Sequence, residues 1–198
     1  VLDAQTEGMI GYLIERELRE LLPAVRQVAT LVTLIEVDPR DPAFDDPTKF
    51  IGPVYSEDEA RKLADAHGWV VKPDGEYWRR VVASPTPSAI PAIYTIETLV
   101  TSGCTVVCAG GGGVPVAWDA VQRSYSGVEG VIDKDLATSL LAYQLSADLM
   151  IMATDVDAVY ENWGTPDQRA IATAHPSALK GATFAAGCSP ESPKYLYS

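Results

Sequence analysis

Four consecutive glycines follow directly after an apolar run of strand length. The run covers residues 104–109 (CTVVCA), and the glycines are Gly110, Gly111, Gly112 and Gly113. Backbone N–H groups of such a loop can approach an anion closely because glycine has no Cβ. Ligands of open α/β sheets bind at the carboxyl edge of the strands, where this loop is expected. A tight turn without a ligand is the alternative, but the pattern favours a site for phosphate or another anion.

Helical and strand-like segments alternate along the chain. Amphipathic spacing and apolar runs predict the following main segments: helices over residues 8–22, 93–102 and 133–145, and strands over residues 28–37, 104–109 and 149–153. The loop that contains the four glycines is predicted over residues 110–115. This alternation predicts an α/β fold, an αβα sandwich with a mostly parallel open sheet. A chain of 198 residues is long enough for one domain with a sizeable core.

The region after the first strand interrupts this alternation. Residues 38–55 are rich in proline and aspartate, which predicts a long ordered loop rather than a regular helix or a central strand. Ser56 is expected to cap a helix that ends at Gly68. A β-hairpin around the turn PDGE is predicted next, with strands at residues 69–72 and 77–83. Three prolines mark residues 84–91 as a return linker.

Charge and cysteine content exclude several classes of protein. The formal net charge of −12 argues against nucleic-acid binding, although a few lysines can still form a local site for a phosphorylated small molecule. An apolar stretch long enough for a transmembrane helix is missing, and the N-terminal residues do not resemble a signal peptide. The three cysteines form no CxxC pair, which predicts neither a disulfide framework nor a zinc site and fits a reducing cytoplasm.

Asp133, Lys134 and Asp135 stand at the start of a predicted helix. A helix N-terminus attracts anions, and Lys134 adds a full positive charge there. A lysine held between two carboxylates stays protonated and oriented, which suits the neutralisation of charge in phosphoryl transfer. The alternative is a solvated helix cap with a surface ion pair.

Two further carboxylates, Asp155 and Asp157, follow the predicted strand at residues 149–153. Carboxylates at a strand's end can bind magnesium, ribose hydroxyls or the amides of their own loop, so a functional role and turn capping remain equally open. Tyr160 is a candidate to pack against a nucleotide base, or to fill the core.

These segments together resemble the carbamate kinases of the amino-acid kinase superfamily over nearly the whole chain. The matching stretches are EGMIGYLIERELRE, TLVTLIEVDPRDPAFDDPTKFIGPVYSEDEA, WVVKPDGEYWRRVVASPTP, AGGGGVPV, GVEGVIDKDLATSLLAYQLSADLMIMATDVDAVYENWGTPDQ and FAAG. The most specific is VDPRDPAFDDPTKFIGPVY with the hairpin after it. This part looks like the small protruding subdomain, about residues 38–84, that separates carbamate kinases from acetylglutamate and uridylate kinases.

The resemblance implies a single amino-acid kinase-like domain and a reversible reaction in which ATP and carbamate give ADP and carbamoyl phosphate. It implies Mg²⁺ as the cofactor, a cytoplasmic homodimer, and ATP formation at the end of arginine fermentation. Two alternatives remain: another superfamily member acting on a carboxylate or a phosphonate, and a non-catalytic ligand-binding protein on the same fold.

The resemblance also implies roles for individual residues. Lys134 would stabilise the transferred phosphoryl group, and Asp135 would orient the lysines around it. The glycine loop, residues 110–113, would cradle the carbamoyl phosphate side, and Lys49 would reach the substrate from the protruding subdomain. The residues expected to line the nucleotide pocket are Asp155, Asp157 and Tyr160.

The sequence departs from the family pattern in three places. The family begins with a strand and a Gly-Gly-Asn phosphate loop, then a loop containing Asn-Gly-Pro, whereas this sequence starts at the helix that follows. The family's C-terminal Gly-Ser-Met-Gly-Pro-Lys corresponds to GCSPESPK at residues 187–194, so Lys194 is expected to be the second catalytic lysine despite the altered spacing. Ala158 replaces a usual glycine.

Overall fold

The computed structural model describes residues 2–153, 158–162, 164–175 and 177. Its α-helices are α1 (Leu2–Leu21), α2 (Glu57–His67), α3 (Ile93–Thr101) and α4 (Lys134–Gln144), with a short 3-10 helix at Pro42–Phe44. Its strands are β1 (Val28–Thr30), β2 (Leu34–Val37), β3 (Lys49–Tyr55), β4 (Val70–Asp74), β5 (Tyr77–Val82), β6 (Pro87–Ala89), β7 (Thr105–Val107), β8 (Val114–Asp119), β9 (Ser124–Gly127), β10 (Val159–Glu161) and β11 (Arg169–Ile171).

Parallel pairing lies at the centre of the fold. Strand β1 pairs in parallel with β7, and β2 pairs in parallel with β8. Strands β6 and β9 flank this second pair and run antiparallel to it, giving the order β6-β2-β8-β9. Helix α1 contacts β1 and β7, α3 contacts β7, and α4 contacts β6. The predicted α/β fold class is confirmed.

One apolar core joins β2 to the helices α3 and α4. Its buried members are Ile35, Val37, Ile90, Ile96, Ile132, Ala137 and Leu140. Ile132 immediately precedes the start of α4, so the burial of its side chain anchors the N-terminus of that helix against β2. Within the described residues, none of the helices has the length and apolar composition that crossing a membrane requires.

The single strand expected over residues 28–37 is wrong, because the structure has two strands there. Thr30 pairs with Val107 at the end of β1, and Leu34 pairs with Val114 at the start of β2. Between Val107 and Val114, the segment that pairs with β1 and β2 runs through the glycine loop. The pairing is therefore interrupted in both segments at the same place, and residues 31–33 are not part of a strand.

The region after β2 contains more strand than the sequence predicts. Residues 49–55 form β3, an edge strand of the order β3-β5-β4, whereas a loop was expected through residue 55. Pro53 is compatible with this position, since an edge strand can lack one ladder hydrogen bond. The hairpin of β4 and β5 and the helix capped by Ser56 and ended by Gly68 are confirmed.

Three further expectations are wrong. Residues 149–153 do not form a strand, because no described strand pairs with them, and Leu149 and Ile151 are 74% and 77% exposed. The return linker at residues 84–91 contains the edge strand β6, where Pro87 is tolerated. The glycine loop was expected to extend to Pro115, but β8 already begins at Val114 and pairs with β9.

Candidate active site

The glycine loop connects β7 to β8 in a conformation that is unfavourable for residues with a Cβ. Gly112 and Gly113 have φ angles of 136° and 85°, in the region that favours glycine. A Cβ on Gly112 would collide with the carbonyl oxygen of Ile132, and one on Gly113 would collide with the Ile35 side chain. Gly111, in contrast, faces open space. The loop thus packs against Ile132 and Ile35 at Gly112 and Gly113, and it is accessible at Gly111.

Helix α4 begins two residues after Ile132, which packs against Gly112. Asp133 is the N-cap, and its Oδ1 accepts hydrogen bonds from the backbone N–H groups of Asp135 (2.9 Å) and Leu136 (3.3 Å). Its other oxygen, Oδ2, accepts a hydrogen bond from Lys49 Nζ at 2.9 Å. Burial disfavours the charged form of Asp133, but the Lys49 pair and the backbone donors hold the pKa of its carboxyl below the ordinary value.

Lys134 lies at the first position of α4 with its side chain 69% exposed. Its Nζ donates a hydrogen bond to Asp135 Oδ1 at 2.7 Å. This hydrogen bond raises the pKa of Lys134, so the ammonium group stays protonated at neutral pH. Lys134 therefore presents an oriented positive charge at a helix N-terminus, next to the segment that packs on the glycine loop.

The tertiary structure brings several predicted residues together. Gly112 packs against the backbone of Ile132, which places the glycine loop beside Asp133 and Lys134. Lys49, at the start of β3, reaches the same place through its ion pair with Asp133. Lys49, Asp135, Lys134 and the loop thus converge, and their individual roles in binding or catalysis stay predictions.

The described part of the structure does not bring the remaining predicted site residues into this cluster. Asp155, Asp157 and Lys194 lie outside the described residues. Tyr160 lies on β10, paired with Ala170 of β11 in an antiparallel hairpin. The nucleotide-binding role expected for Tyr160 therefore stays a prediction.

Sequence reasoning missed Glu7, which lies behind the glycine loop. A cavity of about 410 Å³ is bordered by α1, the glycine loop and residues 131–132. Glu7 lines it with Ile10, Gly11 and Ile14, which recur at helical spacing on one side of α1. An acidic residue at helical spacing from these apolar residues is the signal that could have revealed it.

Among the described residues, no group of three or more histidine, cysteine, aspartate or glutamate side chains is arranged to hold a metal ion. The two carboxylates at the start of α4 are already engaged, Asp133 by Lys49 and the helix N-terminus, and Asp135 by Lys134.

The fold and the site define an α/β protein with a glycine-rich loop at the carboxyl end of a parallel strand, beside a lysine at a helix N-terminus. Residues 59–185 match the model of the amino acid kinase family. The chain belongs to the amino acid kinase family.

Within this family, the chain is similar to carbamate kinases. The chain is 50% identical to a carbamate kinase of Rhizobium meliloti over 94% of this chain and 58% of the relative. It is 53% identical to a carbamate kinase of Escherichia coli over 90% of this chain and 58% of that protein. The carbamate kinase of Giardia lamblia bound to AMP-PNP superimposes with a TM-score of 0.80 and 37% identity, over 98% of this chain and 63% of that one. The chain thus spans about three fifths of the length of these relatives.

Proposed function

We propose that the protein is a carbamate kinase, which transfers a phosphoryl group reversibly between ATP and carbamate and forms ADP and carbamoyl phosphate. The observation that carries this proposal is the convergence of Lys49, Lys134 and the glycine loop at the N-terminus of α4. Identity of about one half to several carbamate kinases supports the same substrates.

The proposed chemistry is positioning combined with neutralisation of charge. Phosphoryl transfer spreads negative charge over the oxygens of the transferred group, and a fixed cation stabilises that charge. Lys134 supplies this cation, because Asp135 keeps it protonated and oriented. The backbone N–H groups of the glycine loop bind the carbamoyl phosphate side. Lys49, which the structure pairs with Asp133, exchanges this partner for the substrate's anionic oxygens.

ATP or ADP is the proposed second substrate, supported by a relative whose structure contains AMP-PNP. Mg²⁺ is proposed to arrive with the nucleotide, since magnesium in kinases is commonly bound by substrate phosphates and one or two carboxylates. ATP formation at the end of arginine fermentation, a cytoplasmic location and a homodimer are proposed from the likeness to carbamate kinases.

A coupled assay of ATP formation from ADP and carbamoyl phosphate tests the proposal. We expect turnover with carbamoyl phosphate and none when acetylglutamate or UMP is the phosphoryl acceptor from ATP. Lys134→Ala should lower kcat by about 10²-fold or more, because it removes a preorganised charge at the transferred group. Circular dichroism should show an unchanged fold.

Lys62→Ala is the matched control, since Lys62 is an exposed lysine on α2. Its kcat should remain that of the parent protein. Retained activity in Lys134→Ala would contradict the catalytic role of Lys134. Absence of ATP formation by the parent protein would contradict the proposed function itself.

A further inference from the structure

A buried carboxylate and a buried threonine lie directly behind the glycine loop. Glu7 of α1 is 7% exposed and Thr33, between β1 and β2, is completely buried. The backbone N–H of Thr33 donates a hydrogen bond to Glu7 Oε2 at 3.1 Å. Polar groups are rarely buried without a reason, because removing them from water is unfavourable unless they form hydrogen bonds.

Thr33 holds Ala109, the residue immediately before the glycine loop. The backbone N–H of Ala109 donates a hydrogen bond to Thr33 Oγ1 at 2.8 Å, and that hydroxyl donates to the Leu31 carbonyl at 2.9 Å. Ala109 has a φ angle of 59°, a left-handed conformation that is unfavourable for a residue with a Cβ. The buried hydrogen bond from its N–H group compensates for this strain.

Glu7 lies against Gly110, the first residue of the loop. Gly110 lies so close to α1 that a Cβ there would be 2.9 Å from Glu7 Cγ. The second carboxylate oxygen, Oε1, is buried and has no hydrogen-bond partner among the described residues. Burial raises the pKa of the Glu7 carboxyl, and the nearby Asp3 raises it further, while the hydrogen bonds with Thr33 oppose this change.

We propose that Glu7 and Thr33 are positioning residues that hold the glycine loop in the conformation that binds carbamoyl phosphate. The linkage runs from Glu7 through the backbone N–H and the hydroxyl of Thr33 to the N–H of Ala109, and so spans α1, the break between β1 and β2, and the loop. It predicts an effect on carbamoyl phosphate rather than on the nucleotide, which rests on the proposed function.

The chain contains a matched control two helical turns away. Thr30 Oγ1 donates a hydrogen bond to Glu15 Oε2 at 2.7 Å, so a second threonine also joins α1 to a neighbouring strand. The contacts of this pair are with Gly11 and Arg19 rather than with the glycine loop. Thr30→Val therefore removes a similar hydrogen bond without touching the loop.

The test compares Thr33→Val, Thr33→Ser and Thr30→Val by amide hydrogen exchange and by steady-state kinetics. In Thr33→Val the Ala109 amide should exchange about tenfold faster, since its acceptor is lost while the side-chain volume is kept. KM for carbamoyl phosphate should rise about tenfold, while KM for ADP stays unchanged. Thr33→Ser keeps the hydroxyl and should restore both values, and Thr30→Val should change neither.

Glu7→Met gives an independent variant, because it removes the acceptor of the Thr33 N–H group and keeps the side-chain length. It should raise KM for carbamoyl phosphate in the same way. Unchanged exchange at Ala109 and an unchanged KM in Thr33→Val would overturn the proposal, as would an equal rise in KM for ADP. If the parent protein does not turn over carbamoyl phosphate, the proposed function fails. The positioning role is then still tested by amide hydrogen exchange at Ala109, measured with and without inorganic phosphate.

Discussion

The four glycines of the loop meet different surroundings, so their side-chain-free backbones serve different purposes. Gly112 and Gly113 pack against Ile132 and Ile35, where a Cβ does not fit. Gly110 is close to Glu7, while Gly111 has no neighbour within 4 Å of a Cβ position. Three glycines therefore allow the loop to pack on the core, and Gly111 leaves the loop accessible from outside.

We expect Gly112→Ala to lower the free energy of unfolding by about 2 kcal/mol, since the added methyl group meets the Ile132 backbone in a left-handed conformation. Gly111→Ala should change it by less than about 0.5 kcal/mol, because its Cβ would point into open space. Urea unfolding of both variants measures the difference. Equal stability of the two variants would contradict the close packing of Gly112 against Ile132.

Helix α2 shows how far a local pattern alone determines an element. Ser56 and Glu59 form the predicted capping box, with the Ser56 hydroxyl facing the Glu59 N–H group and the Glu59 carboxylate facing the Ser56 N–H group. Gly68 ends the helix with a φ angle of 67°. All these contacts join residues within one or two turns, so their pattern is visible in the sequence.

Ser56→Ala should therefore cost about 1 kcal/mol of stability, because the Glu59 N–H group loses its acceptor. Ser56→Asp should keep most of the stability, since aspartate is also a good N-cap. Thermal and urea unfolding measure the change, and Ser124→Ala on the exposed strand β9 serves as the control. A loss in Ser124→Ala as large as that in Ser56→Ala would argue against a capping role.

Other elements depend on partners that are distant along the chain. The apolar run at residues 28–37 has the composition of one strand, but its pairing with β7 and β8 divides it where the glycine loop intervenes. Residues 149–153 have an equally strand-like composition and form no strand in the described structure. Composition reports a preference for strand geometry, whereas a strand forms only where a neighbouring strand accepts its hydrogen bonds.

For the molecule as a whole, the ion pair of Lys49 and Asp133 joins the three-stranded sheet β3-β5-β4 to the start of α4. The two residues are 84 positions apart in the chain. Asp133 is mostly buried and Lys49 is partly exposed, with side-chain exposures of 16% and 44%. The pair thus holds a substrate-binding candidate against the helix that carries Lys134.

The lowered pKa of Asp133 predicts a pH-dependent contribution of this pair to stability. A carboxyl whose folded-state pKa is depressed stabilises the fold above its unfolded-state pKa, and this contribution is lost as the pH falls through the folded-state value. Lys49→Met should lower the free energy of unfolding by about 0.5–1 kcal/mol at neutral pH. The difference from the parent protein should vanish in acid, where Asp133 is protonated.

Urea unfolding of both proteins across this pH range measures the effect. Lys72→Met is the control, because the partner of Lys72, Asp46, is largely exposed and the pair should contribute less. A stability loss in Lys49→Met that is independent of pH would show that the lysine acts by packing rather than through Asp133.

The sequence by itself determined the α/β class, the glycine loop after a strand, and Lys134 at the start of a helix, because each depends on residues close together in the chain. The tertiary structure decided where the loop begins and what holds it. Thr33 and Ala109 are 76 positions apart, and Glu7 and Thr33 are 26 apart. Such contacts exist only after the chain has folded, since no local propensity selects a partner at that distance.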